Sequence, residues 1–213
     1  MRNPRAVSDG LEFKITTYDA AAFDTGSIYT DHVIDETVGG AIDINKVSPL
    51  RTFSAVGKNT TNGADTTYLL SWFTDIQTNP EDKIHIVLPP EVRIPHRIRN
   101  LPASASSFDC KGRTGIPESA GSLECGWKEA EDDAGAKLDP PRDELVISLL
   151  KVTYPTGLYK VELNSLINPP SLRGSTDFNP EGIYQTTKEG ARIAEYGKEA
   201  EKVTIENEYA AEL

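Results

Sequence analysis

Apolar and polar residues alternate with a period of two along most of this chain, and that period predicts strands rather than helices. The clearest case is Thr66–Thr74, Thr-Thr-Tyr-Leu-Leu-Ser-Trp-Phe-Thr, rich in β-branched and aromatic residues. Leu50–Val56 alternates, with Leu50, Thr52 and Ser54 set against Arg51, Phe53 and Ala55. Lys83–Leu88 sets Ile84, Ile86 and Leu88 against His85 and Val87, and stops at Pro89-Pro90, which cannot continue a ladder. Val92–Ile98 reads as an edge strand broken by Pro95. Further strands are predicted at Ser122–Trp127, Leu145–Val152 and Leu158–Leu166, the last with Leu158, Val161 and Leu163 beside Tyr159. Turn signals separate them: Lys58–Asp65, Asn79-Pro80-Glu81-Asp82 and Tyr154-Pro155-Thr156-Gly157. Asn100–Pro117 and Lys128–Arg142 read as loops, and Glu195–Asn207 as a final strand or a short helix.

A weak internal repeat cuts across this pattern. Ile167-Asn168-Pro169-Pro170-Ser171-Leu172 leads to the strand signal Gly182–Thr187, then to Ala191–Glu195. Near the start of the chain, Met1-Arg2-Asn3-Pro4-Arg5-Ala6-Val7 leads to Leu11–Thr17 and then Ser27–Thr30. Both copies run from an Asn-Pro turn through a polar loop into Thr-rich strands, here Glu12–Tyr18 and Ser27–Val33 in the N-terminal copy. Repeats of this kind point to a modular array or an end-to-end polymer. Gly39-Gly40 reads as a joint and Ala41–Val47 as an extended linker. The chain is thus expected to comprise a partial repeat at residues 1–45 and a complete domain at 46–213.

Short strands at regular spacing, with no amphipathic helix, are the signature of an antiparallel β-sandwich. The order of features adds a resemblance. The Thr-Thr-Tyr-Leu-Leu-Ser-Trp-Phe-Thr strand is followed by Asp82-Lys83-Ile84-His85-Ile86-Val87-Leu88-Pro89, a cysteine pair, and Ile167-Asn168-Pro169-Pro170-Ser171. This is similar to the tandem immunoglobulin-like repeats of large extracellular proteins of protists, ciliates among them. The likeness spans about residues 60–190, and residues 1–33 as the tail of another copy. The chain departs from the pattern in having Leu88 where Phe is usual, and in an acidic insertion at Glu129–Pro141. The resemblance implies an immunoglobulin-like β-sandwich with an additional N-terminal β segment, an extracellular or cell-surface setting, and a structural role without catalysis.

Composition narrows the partners. The 213 residues are 38% hydrophobic with a net charge of −11. Such a balance argues against nucleic acid and anionic membrane surfaces, which require basic patches. No apolar run approaches the roughly 20 residues that cross a bilayer, and no signal peptide precedes the polar N-terminal stretch. The repeat favours a mature or excised segment over an intracellular protein. Cys110 and Cys125, close together in a Gly/Ser-rich stretch and outside any apolar run, read as one local disulfide. A loop of that size is worth about 3 kcal/mol.

Few residues suggest chemistry. Asn59-Thr60-Thr61 is an N-glycosylation sequon on a predicted polar tip. Gly57-Lys58-Asn59-Thr60 lacks the remaining residues of a phosphate loop. The acidic run Glu129–Asp133 lacks calcium-loop spacing and reads as a solvated charge run. His32, His85 and His96 form no metal-ligand cluster with the cysteines, and His85 and His96 have no nucleophile motif around them, so both read as structural. No metal, cofactor or catalytic residue is expected. A lone N-terminal hairpin buries too little surface to stand alone. Its strands, carried by Phe13, Ile15, Ile28 and Tyr29, are therefore expected to dock on another copy of the chain or on an adjacent repeat, giving a head-to-tail extracellular filament. The alternative is an adhesin or carbohydrate-binding module, for which Trp127 and Tyr154 are the candidate glycan contacts.

Overall fold

The computed structural model describes residues 8–11, 14–18, 33–38, 42–44, 47–100, 109–117, 122–132, 134–151, 153–171, 175–176 and 178–196. The chain divides into two compact units, Met1–Lys46 and Val47–Leu213. Among its described residues the first holds two small sheets. β1 (Ser8–Leu11) pairs with β4 (Ile42–Ile44), and β2 (Lys14–Tyr18) pairs antiparallel with β3 (Val33–Val38). The stretch read as a linker thus contains a strand, because Ile42 and Ile44 flank a single polar residue and find a ladder partner. Phe13, Ile28 and Tyr29 lie outside the described residues, as does Gly39-Gly40.

Among its described residues the second unit is all-β apart from one helical turn and a 3-10 turn. Its strands are β5 (Ser48–Gly57), β6 (Asp65–Thr74), β7 (Lys83–Val87), β8 (Cys110–Gly112), β9 (Leu123–Glu129), β10 (Asp143–Leu149), β11 (Gly157–Ile167), β12 (Ile183–Thr186) and β13 (Arg192–Tyr196). They form one nine-stranded sheet in the order β8-β11-β6-β5-β13-β12-β7-β10-β9. Every neighbouring pair is antiparallel except β13 with β5, so the expectation of a purely antiparallel arrangement is corrected there. The reason is topological. β7 and β5 run in the same direction, and a two-stranded hairpin filling the gap between them must leave one parallel pair.

Alternation places the core. Tyr68, Leu70 and Trp72 of β6 face Ile84, Ile86 and Leu88, Leu145, Ile147 and Leu149, and Tyr159, Val161 and Leu163 in one buried cluster. Leu88, the departure from the repeat pattern, is fully buried within it. Two bulges reset the phase. At Thr52 (φ +40°) the register of β5 against β6 shifts, so Leu50, Phe53 and Ala55 all turn inward where strict alternation had set Leu50 against the other two. At Ser165 (φ +76°) the shift in β11 brings Leu166 inward after Leu163. Leu158 lies out of phase with Val161 and is exposed.

Val92–Ile98 is not an edge strand. Only Arg93 bridges to a strand, at Ile167, and His96–Arg99 forms a helical turn, α1, whose first hydrogen bonds run from Ile98 and Arg99 N–H to the Pro95 carbonyl. Val92, Ile94 and Ile98 are buried. The alternation there reported burial correctly, but Pro95 lacks the N–H of a ladder and has the φ of a helix start.

The disulfide between Cys110 and Cys125 is present, yet it is not local to a loop. Cys110 opens β8 and Cys125 lies in β9, the two end strands of the sheet, with Cα atoms 6.2 Å apart. The sheet therefore curls until its ends meet, and the bond fastens the seam. Cys125 is buried, because β9 pairs with β10 in register and turns Cys125 inward beside Ile147.

Candidate functional site

The outer face of β9, β10, β7, β12 and β13 carries a polar cluster built from the register of those strands. Glu144 sits opposite Lys128 on β9 and opposite Val87 on β7, while His85 sits opposite Tyr184 on β12. Glu144 is therefore a diagonal neighbour of His85 on the same face. One carboxylate oxygen, Glu144 Oε1, meets three donors: His85 Nδ1 at 2.6 Å, Lys128 Nζ at 3.2 Å and Tyr184 OH at 3.2 Å. His85 Nε2 lies 3.0 Å from Thr186 Oγ1. The His85 and Tyr184 rings stack at 4.5 Å with planes 2° apart, and the Arg192 guanidinium covers the other side of Tyr184 at 4.3 Å.

Glu144 is 1% exposed. Burial alone raises a carboxyl pKa, but the hydrogen bond and charge of His85 and the nearby Lys128 ammonium together hold Glu144 below its ordinary value. Four of these residues, Lys128, Glu144, Tyr184 and Arg192, help to line a groove of about 530 Å³, together with Glu131 and Glu195 among others.

The order hydroxyl, imidazole, carboxylate resembles an activated nucleophile on paper. In the fold these groups bond side chains of β7, β10 and β12 to one another. The Thr186 side chain is buried and does not line the groove, so its hydroxyl is not presented to a ligand. What the cluster does is tie β12 to β7 and β10 by bonds between side chains that the ladder alone does not supply. On the inner face, Gln185 adds to this. It is fully buried, and its amide donates to Thr78 Oγ1 at 3.0 Å. Gly182, at the start of the hairpin, lets the backbone approach β7, since a Cβ there would stand 2.7 Å from Val87 Cβ.

The Asn-Pro motif has a comparable role at the other side of the unit. Asn168 is 3% exposed. Its Oδ1 accepts from Tyr68 OH at 2.6 Å, and its Nδ2 donates to the carbonyls of Asn59 and Thr61 at 2.6 and 2.9 Å. It thus pins the β5–β6 turn to the end of β11. Burial pushes the Tyr68 hydroxyl pKa up to about 12. Asn59 itself is exposed on that turn, and its Oδ1 accepts from Thr61 N–H at 2.9 Å.

Sequence reasoning reached Cys110, Cys125 and Asn59, and the structure shows the first two joined and the third exposed. Ile15 lies in β2. Trp127 is half-buried against the core with Arg99 over its ring at 5.2 Å, and Tyr154 is buried edge-on to Tyr159, so neither offers an open platform to a glycan. The His85–Glu144–Thr186 cluster was missed, since its members lie 59 and 101 residues apart and no local motif links them. Among the described residues no group of histidine, cysteine and acidic side chains is placed to hold a metal, and no helix is long and apolar enough to cross a membrane. No protein-family model, no curated protein and no solved structure matches this chain.

Proposed function

We propose that this chain is a structural subunit of an extracellular filament, an immunoglobulin-like module joined head to tail by docking of its N-terminal β segment on a neighbouring domain. The observation that carries this reading is a contrast between the two copies of the repeat. In the complete copy the hairpin β12–β13 is central, paired on one side with β7 and on the other with β5. In the N-terminal copy, β2, the counterpart of β12, pairs among the described residues with β3, and Ser27–Thr30, the counterpart of β13, lies outside them. A two-stranded sheet is marginal in water, whereas β12 has partners along both edges.

Strand order supports the immunoglobulin-like reading. β8-β11-β6-β5 follows the order D-E-B-A, and β13-β12-β7 the order G-F-C, of that fold. Three of its features differ here: all nine strands, with β10 and β9 added beside β7, form one continuous sheet, Trp72 lies on the second strand, and the disulfide joins the sheet ends instead of crossing the core. An extracellular setting is supported by the disulfide, which persists in oxidising compartments, and by the exposed Asn59 sequon, which we expect to carry glycan on secretion.

Electron microscopy of the full chain beside the chain lacking residues 1–46 tests the function. Filaments from the former and monomers from the latter are expected. Filaments from both would remove the N-terminal segment from the assembly. For the glycan, the mass of secreted protein should fall on enzymatic deglycosylation, and Asn59→Gln should abolish the change.

A further inference from the structure

The turn between β5 and β6 holds Asn62-Gly63, the one asparagine followed by glycine in the chain. Glycine has no Cβ to crowd its nitrogen, so that nitrogen can attack the side chain of the asparagine before it. We infer that Asn62 is a site of spontaneous conversion to aspartate and isoaspartate, and that the strap formed by Asn168 and Pro169 holds this conversion in check.

The step needs only water and hydroxide. Gly63 N gives its proton to hydroxide and attacks Asn62 Cγ. A C–N bond forms, closing a succinimide ring, and the Cγ–Nδ2 bond breaks to release ammonia. Water then opens the ring at one carbonyl to leave aspartate, or at the other to leave isoaspartate, with Cβ in the main chain.

The fold opposes ring closure through the backbone. Ala64 N–H donates to the Thr61 carbonyl at 3.2 Å and closes a turn with Asn62 and Gly63 at its centre. Gly63 has φ +64°, while Asn62 is not among the residues of positive φ. That is the pattern of a type II turn, whose first central residue has ψ about +120°. Such a ψ points the Gly63 nitrogen away from the Asn62 side chain, so the peptide plane between them must turn over before the ring can close. Turning it over breaks a hydrogen bond, because Gly63 N–H donates to the Pro169 carbonyl at 3.0 Å. Pro169 is buried, and its neighbour Asn168 grips the turn from both sides. Asn168 N–H donates to the Ala64 carbonyl at 2.9 Å, and its side chain donates to the carbonyls of Asn59 and Thr61. Access is not the restraint: Gly63 is exposed, and a Cβ built on it would meet nothing within 4 Å.

The product differs where the strap holds. It adds a negative charge to a chain already at −11. Isoaspartate also lengthens the backbone between Thr61 and Gly63, so the two no longer meet Asn168 and Pro169 together. Conversion therefore unfastens the turn beside the Asn59 sequon.

The test incubates the full chain in mildly alkaline buffer and follows Asn62 by peptide mapping, with mass spectrometry for amide loss and chromatography to separate the two products. The folded chain is compared with the same chain in guanidinium chloride and with folded Asn168→Ala and Gly182→Ala. Circular dichroism confirms that both variants are folded, and Gly182→Ala controls for lost stability away from the turn. Conversion is expected to be about tenfold slower in the folded chain than in the unfolded one, the worth of one hydrogen bond. Asn168→Ala should recover most of that factor, and Gly182→Ala should leave the folded rate unchanged. Equal rates in folded and unfolded chain, or no conversion in either, overturn the inference. So does an Asn168→Ala rate equal to that of the unaltered fold, or a Gly182→Ala rate raised as much as that of Asn168→Ala.

Discussion

At the scale of single residues, stability rests on a few buried polar groups that have all their partners. Asn168 accepts the Tyr68 hydroxyl and donates to two turn carbonyls. Asn168→Ala leaves a buried phenol and two carbonyls without it, and is expected to cost about 2–4 kcal/mol in urea denaturation. Glu144 is the second such group. Its folded-state pKa lies below the unfolded value, so its stabilising contribution is present above pH 4.5 and is lost as pH falls through the lowered folded value. Glu144→Gln should therefore destabilise the protein by about 2–4 kcal/mol at neutral pH. The gap between variant and parent should narrow when the denaturation curves are repeated in acid. An unchanged gap at pH 3 would mean that shape, not charge, makes the site.

At the scale of elements, the bulges and the terminal hairpin matter most. Thr52 and Ser165 adopt positive φ within strands, and each changes which later residues face the core. Period-two reading therefore located β5 and β11 but set Leu50 on the wrong face of β5 and could not bring Leu166 onto the inward face with Leu163. A bulge depends on what the neighbouring strand offers, and that partner is remote in sequence. The β12–β13 hairpin fits against β7 because Gly182 has no side chain to meet Val87. Gly182→Ala is expected to cost about 1–3 kcal/mol through overpacking. Native-state hydrogen exchange should then show faster opening in β12 and β7 than in β6. Equal loss of protection everywhere would make the effect global.

At the scale of the whole second unit, closure decides the behaviour of the sheet. Its two end strands meet at Cys110–Cys125 and at no ladder, so the covalent bond does what hydrogen bonds do along the other seams. Replacing both cysteines by serine should lower stability by about 3 kcal/mol. It should also expose the ends of β8 and β9 and promote edge-to-edge association, detectable by light scattering. A variant that loses stability but stays monomeric would show that the seam is kept shut without the bond. By itself the sequence determined the all-β class, most strand positions, the pairing of its two cysteines, and the turns at Pro and Gly. These follow from local alternation, local backbone limits and a choice of two. Only the tertiary structure decided that the disulfide joins the sheet ends, that β13 runs parallel to β5, and that His85, Glu144 and Thr186 converge. Those relations are set by strand order and register, which depend on packing between segments far apart in the chain.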